Sequence, residues 1–168
     1  LKDVYGSPLY GIKTGLNAAF VIDSATKERL CAQDPRSAEL LKPFLEGKDL
    51  KRWRAEPRGL WLIYIPKNRI NIDDYPAIRE WLLPFKAALE ARATKQEWFE
   101  LQQAQEAYIQ HFEGAKVTYP EFCDTNQFLT DSNNYLNNKC YFVPTAEEWL
   151  APFLNSKVSW FSITGNSV

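Results

Sequence analysis

The spacing of apolar and polar positions divides the chain into stretches of different period. Gly11 to Asp23 reads GIKTGLNAAFVID, where two glycines and an asparagine punctuate a turn and Ala19 to Ile22 predict a short apolar strand. Asp34-Pro35 then opens a second turn. Ser37 is placed to cap a helix with Leu40, Leu41 and Phe44 on its apolar face, limited by Pro43 and Gly47. Leu60 to Ile65 (LWLIYI) is nearly continuous in apolarity, as expected of a central strand covered on both faces.

From Pro76 to Arg92 the period becomes helical. Ile78, Trp81, Leu82, Phe85 and Leu89 recur three or four apart, and Asp73 and Asp74 sit where a helix dipole favours acids. Pro84 falls inside this pattern. An internal proline removes one backbone hydrogen bond and crowds the preceding turn, so a kink or two helices is expected. A polar stretch, Ala93 to Glu97, leads into a Gln- and Glu-rich segment through Gln110, read as helical with an irregular stripe of Trp98, Leu101, Tyr108 and Phe112.

The last third alternates strands and turns. Lys116 to Tyr119 ends at a proline, and Gln127 to Thr130 runs into Asp131-Ser132-Asn133-Asn134, the residue types that tight turns select. Lys139 to Val143 predicts the returning strand and Ala146 to Leu154 a short final helix. There is no internal repeat and no low-complexity linker. The expected fold is α+β: a single domain over residues 1–168 with short, largely antiparallel strands, a central kinked helical segment and a short C-terminal helix.

Composition narrows the class. With 168 residues, 45% of them apolar and 14% aromatic, the chain has material for a core. No segment approaches the run of about 18 apolar residues that a membrane span needs, so a soluble, cytoplasmic protein with no membrane partner is expected. Leu1 to Tyr10 lacks the basic start and apolar centre of a signal peptide, and the sequence contains no Met, which predicts a piece of a longer polypeptide. Cys31, Cys123 and Cys140 are odd in number and contain no C-x-x-C pair. They point to a reducing compartment and are read as small buried hydrophobes, with a disulfide between any two left open.

Charge is unevenly distributed. Residues 1–70 carry 13 Lys/Arg against 8 Asp/Glu, a balance of +5, while 71–168 carry 7 against 13, a balance of −6. The excess is densest at Lys42, Lys48, Lys51, Arg52, Arg54 and Arg58, diluted by Glu46, Asp49 and Glu56.

Several chemistries are poorly served by these residues. His111 is the lone histidine and cannot complete a Cys/His zinc site with three scattered cysteines. Gly11-Ile12-Lys13-Thr14-Gly15 holds the residue types of a phosphate-binding loop in the wrong order, with the second glycine after Lys-Thr. Neither a G-x-S-x-G elbow nor a G-x-G-x-x-G loop occurs. Asp34 followed by Glu46-Gly47-Lys48 has the acid, acid-x-lysine order of metal-dependent nucleases. Both acids fall at a turn or a helix stop, whereas that chemistry wants them on adjacent strands.

The order of segments is distinctive. GIKTGLNAAFVID (11–23), LLKPFLEGKDLKRW (40–53), LIYIP (62–66), YPAIREWLLPFKAALEAR (75–92), WFEL (98–101), and KVTYP (116–120) through NNKCYFVP (137–144) succeed one another over roughly residues 11–165. In that succession the chain resembles the TaqI-type C-terminal specificity domain of adenine-specific DNA methyltransferases, including fused restriction–modification enzymes. The resemblance implies a non-catalytic target-recognition domain that binds double-stranded DNA sequence-specifically. It implies further that an upstream methyltransferase domain of the same polypeptide, bound to S-adenosylmethionine, flips and methylates the adenine. No cofactor is expected in this chain itself.

Base reading needs planar donors and acceptors on rigid turns, while phosphate clamping needs cations or small hydroxyls near backbone amides. The first turn offers Lys13 and Thr14 for phosphate and Asn17 for a base edge. Lys48, Lys51, Arg52 and Arg54 are candidates for phosphate, with either arginine also suited to guanine. The turn at Asn133, Asn134 and Tyr135, with Lys139 nearby, offers amides for adenine and an aromatic ring for sugar or base. Arg92 and Lys95 are placed to meet the DNA backbone. Trp53, Trp61, Trp81, Trp98, Trp149 and Trp160 are expected mostly in the core or at a domain interface. The alternatives are a protein-docking domain of a restriction–modification complex and a metal-dependent nuclease.

Overall fold

The computed structural model describes residues 2–165. The chain divides into two compact units, each assembled from separate stretches: one from 12–44 and 59–107, the other from 2–11, 45–58 and 108 onward. Its strands are β1 (Leu9–Tyr10), β2 (Val21–Asp23), β3 (Leu41–Leu45), β4 (Leu60–Ile63), β5 (Lys116–Pro120), β6 (Leu129–Asp131), β7 (Tyr135–Leu136) and β8 (Cys140–Pro144). The register pairs described are all antiparallel, and helices accompany both sheets, so the fold is α+β as expected.

In the unit containing 12–44 and 59–107, β4 lies between β2 and β3, pairing Leu62 with Val21 on one side and Ile63 with Leu41 on the other. The expectation of a central strand at Leu60 is met. Leu62 and Ile63 are buried, and the ring of Trp61 is covered by the Lys27 ammonium 4.0 Å from its centroid. Three local expectations differ. Ala19 and Phe20 belong to a helical turn, Asn17–Phe20, and extended chain begins only at Val21. Ser37–Leu40 is a single turn in which Arg36 takes the cap position, and Ser37 is buried instead. Leu41–Leu45 runs as β3 instead of continuing a helix, and Pro43 is the reason: it has no N–H and holds the preceding residue out of the helical region.

The helix Ser24–Gln33 precedes that turn. The Asp23 carboxylate accepts from the Thr26 amide at 2.8 Å and satisfies one of the free donors at its start. The kinked segment forms as its spacing predicts. Pro76–Leu82 is α-helical with Pro76 in its first turn, Leu83–Phe85 tightens around Pro84, and Lys86–Glu90 resumes the α-helix. Ile78, Leu82 and Leu89 face the core, and Trp81 Nε1 donates to the Ala19 carbonyl at 2.9 Å. The Gln-rich stretch is mostly irregular, with a 3₁₀ segment only at Glu106–His111.

In the other unit the strand order is β1-β8-β5-β6. The chain returning from the Asp131 to Asn134 turn therefore does not pair with β6. Cys140–Pro144 lies between β1 and β5, with Thr118 opposite Phe142. Lys116 and Asp131 are directly cross-strand on β5 and β6. The Lys116 ammonium is buried, 2.7 Å from the Asp131 carboxylate, and donates to the Phe112 carbonyl at 2.8 Å. A paired and hydrogen-bonded charge is the form in which burial is tolerated. Val117 packs under Leu150, Ala151 and Leu154 of the helix Leu150–Leu154, and a further helix spans Lys157–Gly165.

The three cysteines are free thiols, and only Cys140 is buried while Cys123 is exposed, so the expectation of three buried hydrophobes fails for Cys123. Among the described residues no helix is long and apolar enough to cross a membrane.

Candidate nucleic-acid interface

Each unit carries part of the residue set that the sequence singles out. In the first, the Lys13 to Asn17 turn is clamped from behind. The Lys13 and Gln103 main chains exchange hydrogen bonds of 3.1 and 2.9 Å, and the Thr14 carbonyl accepts from the Gln102 amide at 3.3 Å. Gly15 stands at φ +82°, a left-handed conformation that glycine adopts without steric cost. Thr14 is buried, and its hydroxyl is 2.6 Å from the Asn17 side-chain oxygen. The hydroxyl thus shapes the turn instead of presenting to a phosphate. Lys13 and Asn17 are exposed.

Arg92 lies under this turn. Its Nε donates to the Leu89 carbonyl at 2.8 Å, Nη1 to Thr14 at 3.1 Å and Glu100 at 2.9 Å, and Nη2 to Glu97 at 3.3 Å and Trp98 at 2.9 Å. A guanidinium has five N–H donors, and all five end on main-chain carbonyls, so the expectation that Arg92 meets a DNA backbone is not how the fold uses it. Burial lowers its pKa from the usual arginine value, partly countered by Glu100. Lys95 is exposed, and its carbonyl accepts from the Lys67 ammonium at 3.0 Å.

In the other unit, residues 45–58 form a basic hairpin. At its base Arg58 bridges two acids, with Nε 2.5 Å from Asp49 and Nη2 2.5 Å from Glu46. Asp49 is buried and also accepts from the Glu46 amide at 2.7 Å, which fixes the turn Gly47–Asp49. These hydrogen bonds raise the Arg58 pKa further, Asp49 contributing most. Lys48 is 3.6 Å from Glu46 and Arg54 is 2.6 Å from Glu56, both as exposed pairs. Such pairs are weak and yield readily to a competing polyanion.

Above that base the hairpin closes tightly. Leu50 bridges Ala55, the Lys51 amide donates to the Arg54 carbonyl at 3.0 Å, and the Trp53 amide donates to Phe128 at 3.2 Å. Trp53 is in the left-handed region at φ 76° and is 53% exposed. Arg52 donates to the Asn155 carbonyl at 2.7 Å, and its guanidinium lies 5.3 Å from the Trp53 ring. Trp53 and Trp149, the latter 54% exposed, are therefore not core residues, the first of the two places expected for the tryptophans. Trp61, Trp81 and Trp98 are half-buried, and the Trp160 side chain lies outside the described residues.

The Asn133 to Tyr135 turn is divided. Asn133 is exposed, with its amide 3.2 Å from the Ser132 hydroxyl. Asn134 is drawn inward, its side-chain nitrogen 2.5 Å and its main-chain nitrogen 3.2 Å from Asp131. Tyr135 is buried, stacked on Phe112 at 5.2 Å, and donates to Glu113 at 2.8 Å. Its ring therefore has no face left for a sugar or base. Lys139 is exposed. Among the described residues, no group of three or more His, Cys, Asp or Glu side chains is placed to hold a metal.

The interface candidates that reach solvent are thus Lys13, Asn17 and Lys95 on one unit and Lys48, Arg52, Arg54, Asn133 and Lys139 on the other, with Lys51 partly exposed. Thr14, Arg92, Asn134 and Tyr135 hold the turns that carry them. Trp53 is not among the binding residues that sequence reasoning selects, because its exposure depends on hairpin closure and a positive φ that local sequence does not encode.

No protein-family model matches the sequence, and no curated protein matches it. The fold is similar to part of the Type IIL restriction–modification enzyme MmeI, solved in complex with DNA, with a TM-score of 0.56 and 17% identity over 89% of this chain. The chain spans 20% of the length of that enzyme.

Proposed function

We propose that this chain is the DNA target-recognition module of a restriction–modification methyltransferase. In this reading it seats a duplex against its exposed turns and presents the target adenine to a methyltransferase domain of the same polypeptide, which binds S-adenosylmethionine. The reading is supported by the sequence resemblance to TaqI-type specificity domains. The observation that carries it is the likeness of 89% of the chain to a fifth of a restriction–modification enzyme bound to DNA. Lys13 and Lys95, with Lys48, Lys51, Arg52, Arg54 and Lys139, supply cations for phosphates. Asn17 and Asn133 supply exposed amides able to read a base edge.

The test is a titration of the 168-residue chain against mixed-sequence duplex at several salt concentrations. Phosphate clamping by several cations predicts a steep loss of affinity with salt, the slope falling by about one for each contact removed. Arg52→Ala with Arg54→Ala should flatten that slope. Affinity that ignores salt, or no measurable binding at low salt, removes the reading.

A docking role for part of the surface has its own support. Trp149 and Phe153 are exposed at the helix Leu150–Leu154, 6.0 Å apart edge to face, and Phe161 is 79% exposed on the next helix. A pair of exposed aromatics, with a third on the next helix, suits a protein face, here a neighbouring domain of the same polypeptide. Trp149→Ala with Phe153→Ala should leave DNA affinity of this chain unchanged while weakening its association with that domain.

A further inference from the structure

We infer that Trp53 is a stacking wedge that engages the bases of duplex DNA, flanked by Lys51 and Arg54 on the phosphates. This inference rests on the DNA-binding reading and deepens it by naming the element that enters the duplex.

Placement is the first observation. Tryptophan is the largest apolar side chain, and at the tip of a turn water is a poor environment for it. Trp53 is held there in a left-handed conformation that a bulky L-residue rarely adopts, φ 76°, while the residue stays 53% exposed. The strain is maintained by the surroundings. Lys51 and Arg54 close the hairpin by a 3.0 Å bond, the Trp53 amide is tied to Phe128, and Arg52 is tied to Asn155. Backbone held in a sparsely populated region by surrounding structure is a feature that functional sites share. The ring is therefore presented on a rigid support, and little further ordering is needed when it binds.

The flanking charge identifies the partner. Residues 50–55 read Leu-Lys-Arg-Trp-Arg-Ala, three cations, of which Arg54 pairs at 2.6 Å with the exposed Glu56 and Lys51 and Arg52 have no ion pair among those described. A partner of that surface offers negative charge on both sides of a flat apolar face, which describes a base step between two phosphate backbones. The Arg52 guanidinium lies over one face of the indole, 5.3 Å from its centroid, and is a planar cation that itself stacks on bases. Apolar wedges that enter between base steps unstack them and bend the duplex, allowing more of the protein surface to make contact. A protein partner would have to meet the same surface with an acidic rim.

The test compares the wild-type chain with Trp53→Gly and Trp53→Phe, using a mixed-sequence duplex at low salt and reading both affinity and tryptophan emission. Glycine relieves the left-handed strain, so Trp53→Gly should melt no lower than the wild type, which separates loss of function from loss of fold. Binding should quench the wild-type emission, and Trp53→Gly should lose that quenching and bind about tenfold to a hundredfold more weakly. Trp53→Phe should retain part of the affinity. If the wild type binds with a normal salt dependence and Trp53→Gly binds equally well, the wedge is overturned and the DNA-binding reading stands. If the wild type fails to bind duplex at all, the reading itself falls. Normal DNA binding by Trp53→Gly together with loss of a protein partner would assign the tip to protein docking instead.

Discussion

Arg92 Nη1 donates to the Thr14 carbonyl at 3.1 Å, tying the end of the kinked helical segment to a turn 78 residues earlier in the chain. With four further carbonyls on the same guanidinium, the residue organises both the Lys13 to Asn17 turn and the 97–100 loop. Lysine has three rotatable donors and no fork, so it cannot replace this geometry. Arg92→Lys and Arg92→Ala should each cost on the order of 3 kcal/mol, because several carbonyls lose a charged donor together. Urea denaturation measures this, and amide exchange at residues 13–17 should accelerate in both variants. Unchanged stability with reduced DNA affinity would instead return Arg92 to the interface.

Two glycines should differ in what a methyl group costs. At Gly15 an added Cβ would sit 2.8 Å from the Arg92 Cδ, a side-chain atom and not main chain, at a φ of +82°. Gly15→Ala should therefore cost about 2 kcal/mol, from strain and a small displacement of Arg92. At Gly11 the added Cβ would lie 2.0 Å from the Asn137 carbonyl oxygen, which belongs to the main chain and cannot rotate away. Gly11→Ala should cost distinctly more, read as a lower melting temperature or loss of soluble protein. A variant at Gly11 milder than that at Gly15 would contradict this packing.

Ser37 is fully buried, and its hydroxyl has no hydrogen-bond partner among the described residues. A buried polar atom left without a partner costs roughly 1–3 kcal/mol. Ser37→Ala removes that atom and leaves little space behind. It should raise stability by about 1 kcal/mol, the opposite of the usual effect of a core substitution. A measured loss of stability would show that the hydroxyl is satisfied in solution.

What is legible in the sequence is local. Pro84 within a helical period predicts the kink, and the apolar run at Leu60 predicts a strand with neighbours on both sides. Features that depend on distant partners are hidden. The helix Ser24–Gln33 has only Leu30 fully buried, so it shows no apolar stripe to detect. β8 pairs with β5 instead of β6 because strand order is decided by long-range packing, which turn residues do not report. At the interface, the residue types Lys13, Asn17, Lys51 and Arg52 are visible. Tyr135 departs from its expected role because Phe112, the ring stacked on it, and Phe142, packed against Phe112, belong to segments outside the turn that carries it. Arg92 and Trp53 exchange expected roles for a related reason: one finds five carbonyls that no local pattern reveals, and the other is held outside by a turn conformation.

Alkaline pH should destabilise the fold through the unit built on β1, β8, β5 and β6. Burial, the largest cause in each case, pushes the Cys140 thiol from 9.0 up to about 12, and the Tyr108 and Tyr119 hydroxyls from 10.0 up to about 12. Asp49 adds to the effect at Cys140. The folded chain thus keeps these protons while the unfolded chain releases them. Stability linked to them is fully present below about pH 9 and falls as pH rises from there toward 12. Lys116 works in the other direction. Burial lowers its pKa from 10.5 despite Asp131, so the unfolded state binds its proton more readily and part of the loss is offset in that range. Urea titrations between about pH 8 and pH 11 should show stability declining from about pH 9. In Cys140→Ala the decline above about pH 9 should be shallower, carried by the Cys123 thiol, which burial also raises from 9.0, and by the tyrosines. Cys140→Ala removes a small buried side chain and lowers stability at every pH, so the comparison is made on the slope of the decline, not its level. A slope that does not change would mean that the Cys140 thiol ionises as readily in the fold as in the open chain.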